Sequence, residues 1–448
     1  MFKKYIKYSI IFTAILSSVS CKKFLDVEPR ESISDAATIV DNATAETALN
    51  GTYNALGSTD YYGIAFNTIG YAGGDNVVYI GTLVYNSQFT THTVRSDNHT
   101  ILSAWRAIYN TINRANHIIY KLPLLSNNVI TDAQRNSILG QAYFIRGLAY
   151  FDIARLWGGA QIVLEPTFSI TDKNGIKRST TEQTYAQSLS DLKQAESLLS
   201  ETTNRVRATK KTTWALLSRF YLYQKDYTNA ELYAAKLVGD NNYELVKPYS
   251  AWFANNATQT KESVFEIAYS TAFLNTNRND WQPASSGGGR RIIPTDQYIS
   301  LITNTAVGGN RGNIVAKTST GLWYGNLYYR SPATDPSYII RIAEVHLNLA
   351  EAAAQLGKTD LALKHLNFVR SRADLAAVTT SEKSGLLLAI ENERRLEFGL
   401  EPHRWFDLVR TGRAKDVLGV TDPQRYLMPI PLEETIIDDD LDQNPGYN

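Results

Sequence analysis

The sequence predicts a mostly α-helical protein in which about four helix pairs form a scaffold, with long irregular loops and a few short strands between them. Two observations lead to this fold class. Apolar residues recur at spacings of three and four along several long segments, as on one face of an amphipathic helix. Between these segments lie stretches rich in glycine and aromatic residues, which interrupt the helical period. The 448 residues are ample for a large hydrophobic core.

The clearest helices are predicted in residues 101–119 and 138–156. The first places apolar side chains three or four residues apart, at Ile101, Trp105, Ile108, Ile112, Ala115 and Ile119. The second repeats this pattern at Ile138, Ala142, Ile145, Ala149, Ile153 and Leu156. Aromatic residues on its other side predict burial on two sides, and Gly158 is expected to end it. Two more helices are predicted over 185–199 and 214–221.

Two places in the chain combine helical periodicity with a tight turn and a small residue. A turn at 225–226 precedes Ala230, and a turn at 357–358 precedes Ala362. Such a helix–turn–helix unit, with a small residue where the helices cross, resembles the tetratricopeptide repeat. These two half-motifs and two earlier helix pairs indicate about four units. Because the units are not contiguous, a simple solenoid is not expected.

The loops between the helix pairs are expected to carry function. Residues 57–100 and 271–335 are rich in glycine, tyrosine and tryptophan. Disordered segments have few aromatic residues, and long ordered loops are usually functional. Short strands such as "SVFEIAYS" are expected at the loop edges. We predict one domain over 21–448, with a scaffold of about 42–56, 100–240 and 337–412 and a loop-rich ligand-binding region of about 57–99 and 241–336.

Residues 1–20 have the pattern of a secretory signal peptide. Three lysines precede a short apolar run, and small residues lead to Cys21. The apolar run is too short to span a membrane, and no later segment approaches about 20 consecutive apolar residues. Cys21 is the only cysteine, and a buried free thiol would not explain its position. We therefore predict a lipoprotein acylated on Cys21, although Ser18 stands where the leucine of a lipobox is usual.

Charge and motif content argue against several classes of function. Removing residues 1–20 takes away three lysines and no acid, which leaves 42 basic and 44 acidic residues and a net charge of −2. Such a chain is not expected to bind nucleic acid, which favours a basic face. The sequence has no H-E-x-x-H or G-x-S-x-G motif, and "SSGGGRR" lacks the Gly-Lys-Ser/Thr of a phosphate loop. We expect no metal, no other cofactor and no catalytic residue. A glycosidase needs only two carboxylates, however, and spacing alone does not exclude one.

Two C-terminal motifs and the tail superficially resemble catalytic or metal sites. The motifs "ENERRLEF" and "HRWFDLVR" concentrate acidic and basic residues. We interpret them as a network of buried ion pairs that ties helices together, since arginine binds carboxylates with two parallel hydrogen bonds. The tail "DDDLDQN" alternates its acids as a calcium loop does, but it lacks the glycine and the final glutamate of such a loop. We interpret it as a solvated acidic turn.

Five segments, in order along the chain, carry a family resemblance. They are "CKKFLDVEP", "GQAYFIRGLAYFDIARLWGGAQIV", "IIRIAEVHLNLAEAAAQLGKTDLALKHLNFVRSRA", "IENERRLEFGLEPHRWFDLVRTGRA" and "YLMPIPLEETIIDDDLDQNPGYN". Together they resemble the SusD/RagB family of Bacteroidetes outer-membrane lipoproteins. The resemblance implies four tetratricopeptide-like units, an irregular loop-built region, and a lipid anchor in the outer membrane facing the cell exterior.

The resemblance also implies a function and a partner. Family members capture nutrients, usually glycans, and pass them to a SusC-like, TonB-dependent barrel on which they sit as a lid. They are not enzymes. Two alternative functions stay open. The chain could be a peptide- or protein-binding member of the same kind of transport system, or, less expected, a surface glycoside hydrolase.

The ligand is expected to bind in the loops, on the side that faces the barrel in this family. A sugar ring has an apolar face and a rim of hydroxyls, so the matching site is an aromatic platform with polar groups around it. The predicted platforms are Tyr79, Tyr85, Trp281, Trp323 and Tyr324. The predicted polar partners are Asp75, Asn76, Asn86 and Arg290. The alternative for each aromatic residue is packing under its own loop. The tryptophans assigned to the core instead are Trp105, Trp157, Trp214 and Trp405.

Overall fold

The structure of the chain, a computed structural model, describes residues 39–168, 172 and 175–447, and helices predominate in it as predicted. The predicted signal peptide and Cys21 lie outside the described residues. The α-helices are α1 (Asn42–Leu56), α2 (Ala65–Ala72), α3 (Val84–Thr91), α4 (His99–Lys121), α5 (Asp132–Trp157), α6 (Thr181–Leu198), α7 (Lys210–Tyr223), α8 (Tyr227–Ala235), α9 (Asn277–Trp281), α10 (Asp296–Thr303), α11 (Ile342–Gln355), α12 (Thr359–Arg372), α13 (Lys383–Glu397), α14 (Arg404–Arg410), α15 (Ala414–Leu418) and α16 (Leu432–Ile437). The strands are β1 (Val77–Tyr79), β2 (Ser263–Ile267), β3 (Ile292–Pro294), β4 (Val315–Lys317), β5 (Trp323–Gly325) and β6 (Ser337–Arg341).

The strands form three two-stranded antiparallel ladders, in which β1 pairs with β3, β2 with β6 and β4 with β5. The strand predicted in "SVFEIAYS" is confirmed as β2. Both β2 and β6 are buried along their full length, so this ladder lies inside the protein. Among the described helices we find no candidate for a membrane span.

Local sequence signals set the ends of the long helices. Thr131 begins α5 with a capping box, in which its hydroxyl accepts from the N–H of Gln134 at 3.3 Å and the Gln134 amide accepts from the N–H of Thr131 at 3.0 Å. The same helix ends at Gly158, which has φ = 76°, as predicted. Asp226 caps α8 by accepting from the N–H of Asn229 at 3.1 Å.

Neighbouring helices pack as pairs and form the scaffold. The contacts join α4 to α5, α5 to α6, α7 to α8 and α11 to α12, and α8 also packs on α11. The two alanines predicted at close crossings, Ala230 and Ala362, are fully buried. Ala230 contacts Leu222 and Ala352, so it joins the α7–α8 pair to α11. A larger side chain at this position would force the two pairs apart.

Residues 57–99 are more helical than their glycine content predicts. This stretch contains α2 and α3, and α2 is buried along its full length. A Cβ added to Gly70 would lie 2.6 Å from Cβ of Pro402, and one added to Gly73 would lie 3.0 Å from the Trp405 ring. These glycines therefore allow close packing of α2 against the segment before α14, a use that glycine content alone does not reveal.

Two large hydrophobic clusters fill the interior of the described chain, besides the small one around Ala230. The larger one lies within the helix pairs and contains Trp105, Trp157, Trp214 and Trp405, which confirms their assignment to the core. The smaller one lies under the loops and includes Tyr79, Trp252, Trp281 and Tyr298.

The charged residues of "ENERRLEF" belong to a buried ion-pair network. Glu397 accepts from Arg341 Nη1 at 2.8 Å, from Arg311 Nε at 2.9 Å and from Arg372. Glu262, which precedes β2, pairs with Arg341 at 2.8 Å. All five side chains are buried. The network thus joins α12, α13 and the inner strands, and the interpretation as a structural network is confirmed.

The motif "HRWFDLVR" makes a second set of such pairs. Asp407 accepts from Arg394 Nε at 2.8 Å and from Arg410 Nε at 2.9 Å. Arg410 also donates two hydrogen bonds to the Glu351 carboxylate, at 2.6 and 2.8 Å. These pairs connect α13, α14 and α11.

The C-terminal tail is better packed than a solvated turn. Asn444 is buried and donates to the carbonyl oxygens of Trp157, at 3.0 Å, and Met428, at 2.7 Å. The Arg178 guanidinium donates to the carbonyl oxygen of Asp442 at 2.9 Å. The tail is therefore fastened to the end of α5, and the prediction of a solvated acidic turn is wrong at Asn444.

Candidate functional site

The β4–β5 hairpin presents two of the predicted aromatic platforms on opposite faces. Its register pairs Lys317 with Trp323, Ala316 with Tyr324 and Val315 with Gly325. Because successive side chains in a strand alternate between faces, Trp323 shares the face of Gly325, and Tyr324 lies on the other one. Both aromatic side chains are half-buried.

Trp281, at the end of α9, forms a floor beneath this hairpin. A Cβ added to Gly325 would lie 2.3 Å from Cε3 of Trp281, so the strand rests directly on the indole ring. The Tyr71 ring contacts the indole edge-on, with centroids 5.2 Å apart. Trp281 is only 1% exposed. Its predicted role as a platform is therefore wrong in this structure, because both ring faces are covered and the residue belongs to the smaller cluster.

Tyr79 is also part of the floor. It ends β1 opposite Ile292 of β3, and it is 4% exposed. Its ring lies under the chain at Gly81, where an added Cβ would be 2.3 Å from the Tyr79 hydroxyl oxygen. The prediction of Tyr79 as a platform is corrected in the same way, since the following loop folds over the ring.

Two hydrogen bonds join the β4–β5 hairpin, the loop after β1 and the loop before β3. The N–H of Ile80 donates to the carbonyl oxygen of Arg291 at 2.7 Å. The Arg290 side chain donates through Nε to the carbonyl oxygen of Trp323 at 2.8 Å. We call the three segments joined in this way, residues 80–85, 287–291 and 316–324, the loop cluster.

One charged group contacts the Trp323 ring and another contacts its backbone. The Lys317 ammonium lies 4.5 Å from the ring centroid, a cation–π contact. Arg290 supports the backbone of the same residue. Farther back, Arg291 pairs with Asp280 at 2.7 Å; burial raises the pKa of the Asp280 carboxyl above its usual range, although Arg291 acts against this shift.

The three segments of the loop cluster also carry apolar side chains. Tyr85, in the first turn of α3, is half-buried and lies 5.5 Å from the His99 ring, centroid to centroid. The exposed aliphatic residues within the three segments are Ile80, Leu83, Val84 and Leu322. Exposed apolar side chains in the same segments as polar groups suit a ligand that has apolar and polar faces.

Three of the four predicted polar partners have structural roles instead. Asp75 pairs with Arg395 at 2.8 Å and with Arg404 at 2.7 Å. Asn76 accepts from Arg395 Nε at 2.9 Å, and its amide donates to the Arg395 carbonyl oxygen at 3.2 Å. These residues hold the loop after α2 to α13 and α14, which leaves them little capacity for a ligand.

Asn86 is the third of these residues. It is 7% exposed, and its amide oxygen accepts from the Thr100 hydroxyl at 2.6 Å. It fixes α3 to the start of α4 and is not available at the surface. Of the predicted site residues, the structure therefore brings Arg290 to the β5 strand that carries Trp323 and Tyr324, whereas the ring contact of Tyr85 is with His99.

Sequence reasoning missed Lys317. Its contact with Trp323 follows from the cross-strand register. The alternating segments "VAK" and "WYG", separated by the five residues "TSTGL", are a hairpin signal that could have located it.

A cavity lies in the scaffold, and no residue of the loop cluster lines it. This cavity of about 510 Å³ is bordered by α7, α11, α13 and α14. Four charged side chains of its lining are paired, Arg410 with Glu351 at 2.6 Å and Arg394 with Asp407 at 2.8 Å. None of the predicted site residues lines it.

Comparisons with known proteins agree with this architecture. A family model described as "Starch-binding associating with outer membrane" matches residues 23–222, and one described as "SusD family" matches residues 324–425. Together they span more than half of the chain. A SusD-like protein of Formosa agariphila is 25% identical, with 99% of this chain and 100% of that protein covered. A SusD-like protein of Bacteroides ovatus is 24% identical over 89% of this chain and 81% of its own length.

Solved structures share the fold. A SusD superfamily protein from Bacteroides vulgatus has a TM-score of 0.81 at 23% identity, covering 91% of this chain and 99% of its own. A structure described as a laminarin-binding SusD-like protein has a TM-score of 0.81 at 21% identity, covering 91% of this chain and 100% of its own. Fold and site thus define a scaffold of helix pairs that carries a loop-built surface. The chain belongs to the SusD/RagB family.

Proposed function

We propose that this chain is a cell-surface glycan-binding lipoprotein that captures oligosaccharides at the loop cluster and delivers them to a SusC-like, TonB-dependent transporter. In this proposal Cys21 carries the lipid anchor, the protein faces the cell exterior, and no chemical step occurs on the ligand. The description of the matching family model, which concerns starch binding and the outer membrane, supports this role.

The observation that carries the proposal is one hairpin over a packed floor that holds Trp323 beside Lys317 and Arg290 and presents Tyr324 on its opposite face. The floor, with Trp281 buried under Gly325, gives the hairpin a rigid support. Rigid support matters because a site that is already ordered loses less conformational entropy when the ligand binds. Half-buried rings beside a guanidinium match the apolar face and hydroxyl rim of a sugar.

The expected affinity is modest. Each aromatic stacking contact contributes about 0.5–1.5 kcal/mol beyond its buried area. Two or three such contacts are consistent with a Kd of about 10 μM to about 1 mM. Weak capture suits a protein that must release its ligand into a transporter.

Calorimetric titration of the purified full-length protein in detergent tests the proposal, with a panel of oligosaccharides and peptides as ligands. We expect a saturable signal with an oligosaccharide, no product formation, and a loss of about fivefold in affinity for Tyr324→Ala, equivalent to about 1 kcal/mol. Trp323→Ala should have at least this effect, because it removes a ring from the same hairpin.

Tyr120→Ala is the matched control. Tyr120 is an exposed tyrosine near the end of α4, 21 residues beyond His99 and so about 30 Å along the helix from it. This variant should bind as the unchanged protein does. Binding of peptides without any response to sugars would contradict glycan capture and favour the peptide-binding alternative.

The anchor and the partner need a separate measurement. Metabolic labelling with a fatty acid should mark the unchanged protein and not Cys21→Ala. Purification of the protein from native membranes in mild detergent should recover a TonB-dependent barrel at a fixed ratio. Recovery of the protein alone, in every detergent that keeps such barrels folded, would count against a stable lid-like association.

A further inference from the structure

The loop cluster has a one-sided charge. Its three segments contain three cations, Arg290, Arg291 and Lys317, and no aspartate or glutamate. The chain as a whole is nearly neutral, with 45 basic and 44 acidic residues. The charge of the site therefore does not follow from the overall composition.

Only one of these cations is neutralised. Arg291 pairs with the Asp280 carboxylate at 2.7 Å. Arg290 uses its Nε for the Trp323 carbonyl, and its two terminal nitrogens make no hydrogen bond or ion pair within the described residues. The Lys317 ammonium contacts the Trp323 ring and forms no ion pair in the same part of the chain.

No carboxylate of the described residues pairs with these two cations. Asp296 follows β3 and starts α10, at the opposite end of that strand from Arg291. Asp60 lies on the turn 59–63, next to Thr59. Neither acid forms an ion pair with Arg290 or Lys317 in the structure described. Two positive charges consequently remain at the edge of the aromatic hairpin.

Arg290 has an unusual backbone conformation, which constrains the position of its side chain. Arg290 has φ = 46°, in the left-handed region that favours glycine, and it directly follows three glycines. An arginine with this φ is strained, and contacts hold it there: its N–H donates to the carbonyl oxygen of Gln282 at 2.8 Å and its Nε to that of Trp323 at 2.8 Å. The hydrogen bond to Trp323 keeps the guanidinium beside the hairpin.

We propose that the loop cluster selects anionic saccharides, that is, sugars carrying a carboxylate or a sulfate, with Arg290 and Lys317 as the groups that bind the anion. This inference rests on the proposed glycan-binding function and names the ligand class of that same site. The guanidinium fork of Arg290 matches the paired oxygens of either anion. Lys317 supplies a point charge next to the aromatic surface on which the sugar ring rests.

Pairs of oligosaccharides that differ in charge test the inference. One pair is a neutral β-glucan oligomer and its sulfated form, and the other is oligomers of galactose and of galacturonate. The unchanged protein should bind at least one anionic member about tenfold tighter than its neutral counterpart at low salt. The preference should decrease as salt is raised toward about 1 M, because exposed charges are then screened. The sulfated and the uronate pair distinguish the two possible anions.

Lys317→Met is the informative variant, since methionine keeps an apolar chain over the Trp323 ring while removing the charge. It should reduce the affinity for the anionic member about threefold more than that for the neutral one. Arg290→Gln should have a similar or larger differential effect. Lys415→Gln, which removes an exposed lysine of α15, is the charge-matched control and should leave both affinities unchanged.

The outcomes separate the two proposals. Tighter anionic binding that depends on Lys317 and on salt supports the inference. Equal binding of charged and neutral members, or a preference unaffected by Lys317→Met and Arg290→Gln, overturns the inference and leaves glycan capture standing. No binding of any saccharide overturns both.

Discussion

His346 and His365 face each other across the α11–α12 pair, with their Nδ1 atoms 2.9 Å apart. Both imidazoles are buried, and their rings are stacked with centroids 5.2 Å apart. A hydrogen bond between two ring nitrogens needs one donor and one acceptor, so both rings cannot be imidazolium while the contact lasts. Burial, followed by the charges of His365 and Arg372, lowers the pKa of His346 to about 3; burial and Lys364 lower that of His365 to about 4.

We predict that the free energy of unfolding decreases as pH falls from 7 to 5. The folded protein keeps both imidazoles neutral, whereas in the unfolded chain they take up protons near pH 6.5. Their contribution is therefore fully present above the unfolded pKa and is lost progressively as pH falls toward the folded values of about 3 and about 4. Chemical denaturation at pH 7, 6 and 5 measures this dependence, and the double variant His346→Leu/His365→Leu should flatten it.

The flattening should be incomplete, because burial also lowers the pKa of His403 to about 3. His99→Leu, which removes an exposed histidine at the start of α4, serves as the control and should retain the full slope. Identical slopes for the double variant and the unchanged protein would show that the buried pair does not govern acid sensitivity.

Removing the charge of Glu397 should strongly destabilise the fold. Burial alone would raise the pKa of this carboxyl, but Arg372, Arg311 and Arg341 outweigh burial and lower it to about 2. Glu397→Gln keeps the side-chain shape and leaves the three guanidinium groups without this anion. We expect a loss of about 3–5 kcal/mol in the free energy of unfolding, measured in urea.

An exposed ion pair provides the comparison for that loss. Asp416 pairs with Arg413 at 2.8 Å, and both side chains are well exposed. Asp416→Asn should change the free energy of unfolding by less than about 1 kcal/mol. A similar small effect for Glu397→Gln would mean that solvent reaches the network when the charge is removed.

The scaffold could be predicted from the sequence because its signals are local. Spacings of three and four residues located α4 and α5, and a glycine marked the end of α5. The helices α2 and α3, within residues 57–99, could not be predicted in this way. Gly70 and Gly73 look like loop residues in sequence, yet they serve close packing against Pro402 and Trp405, more than 300 residues away in the chain.

The candidate site could be predicted only to the level of its loops. Trp281 and Trp323 stand in similar glycine-rich surroundings, but Gly325 admits the hairpin onto Trp281 and buries it, while Trp323 remains half-exposed. Asp75 forms an ion pair with Arg404, which is 329 positions away in the sequence, so no local sequence pattern predicts this pair. Burial and long-range pairing thus decide which loop residues are free to bind a ligand. Neither produces a periodic pattern that can be recognised in one sequence.

Trp281 and Trp323 should respond differently to truncation. Trp281→Ala removes a fully buried indole from the floor and should cost about 3–5 kcal/mol of stability, because a cavity remains. Trp323→Ala removes a half-buried ring at the tip of the hairpin and should cost clearly less. Parallel measurements of urea unfolding and oligosaccharide affinity separate the floor from the platform. A Trp323→Ala protein as unstable as Trp281→Ala would assign both rings to the core.

Ala230 sets how closely the α7–α8 pair approaches α11. It is fully buried against Leu222 and Ala352. Ala230→Leu should therefore lower the free energy of unfolding by about 1–3 kcal/mol through overpacking, measured by urea denaturation. Ala133→Leu is the matched control, since Ala133 is exposed in the first turn of α5 and leucine suits a helix nearly as well as alanine. If the two variants were equally stable, the helix pairs could separate without loss, and the small residue at the crossing would have no packing role.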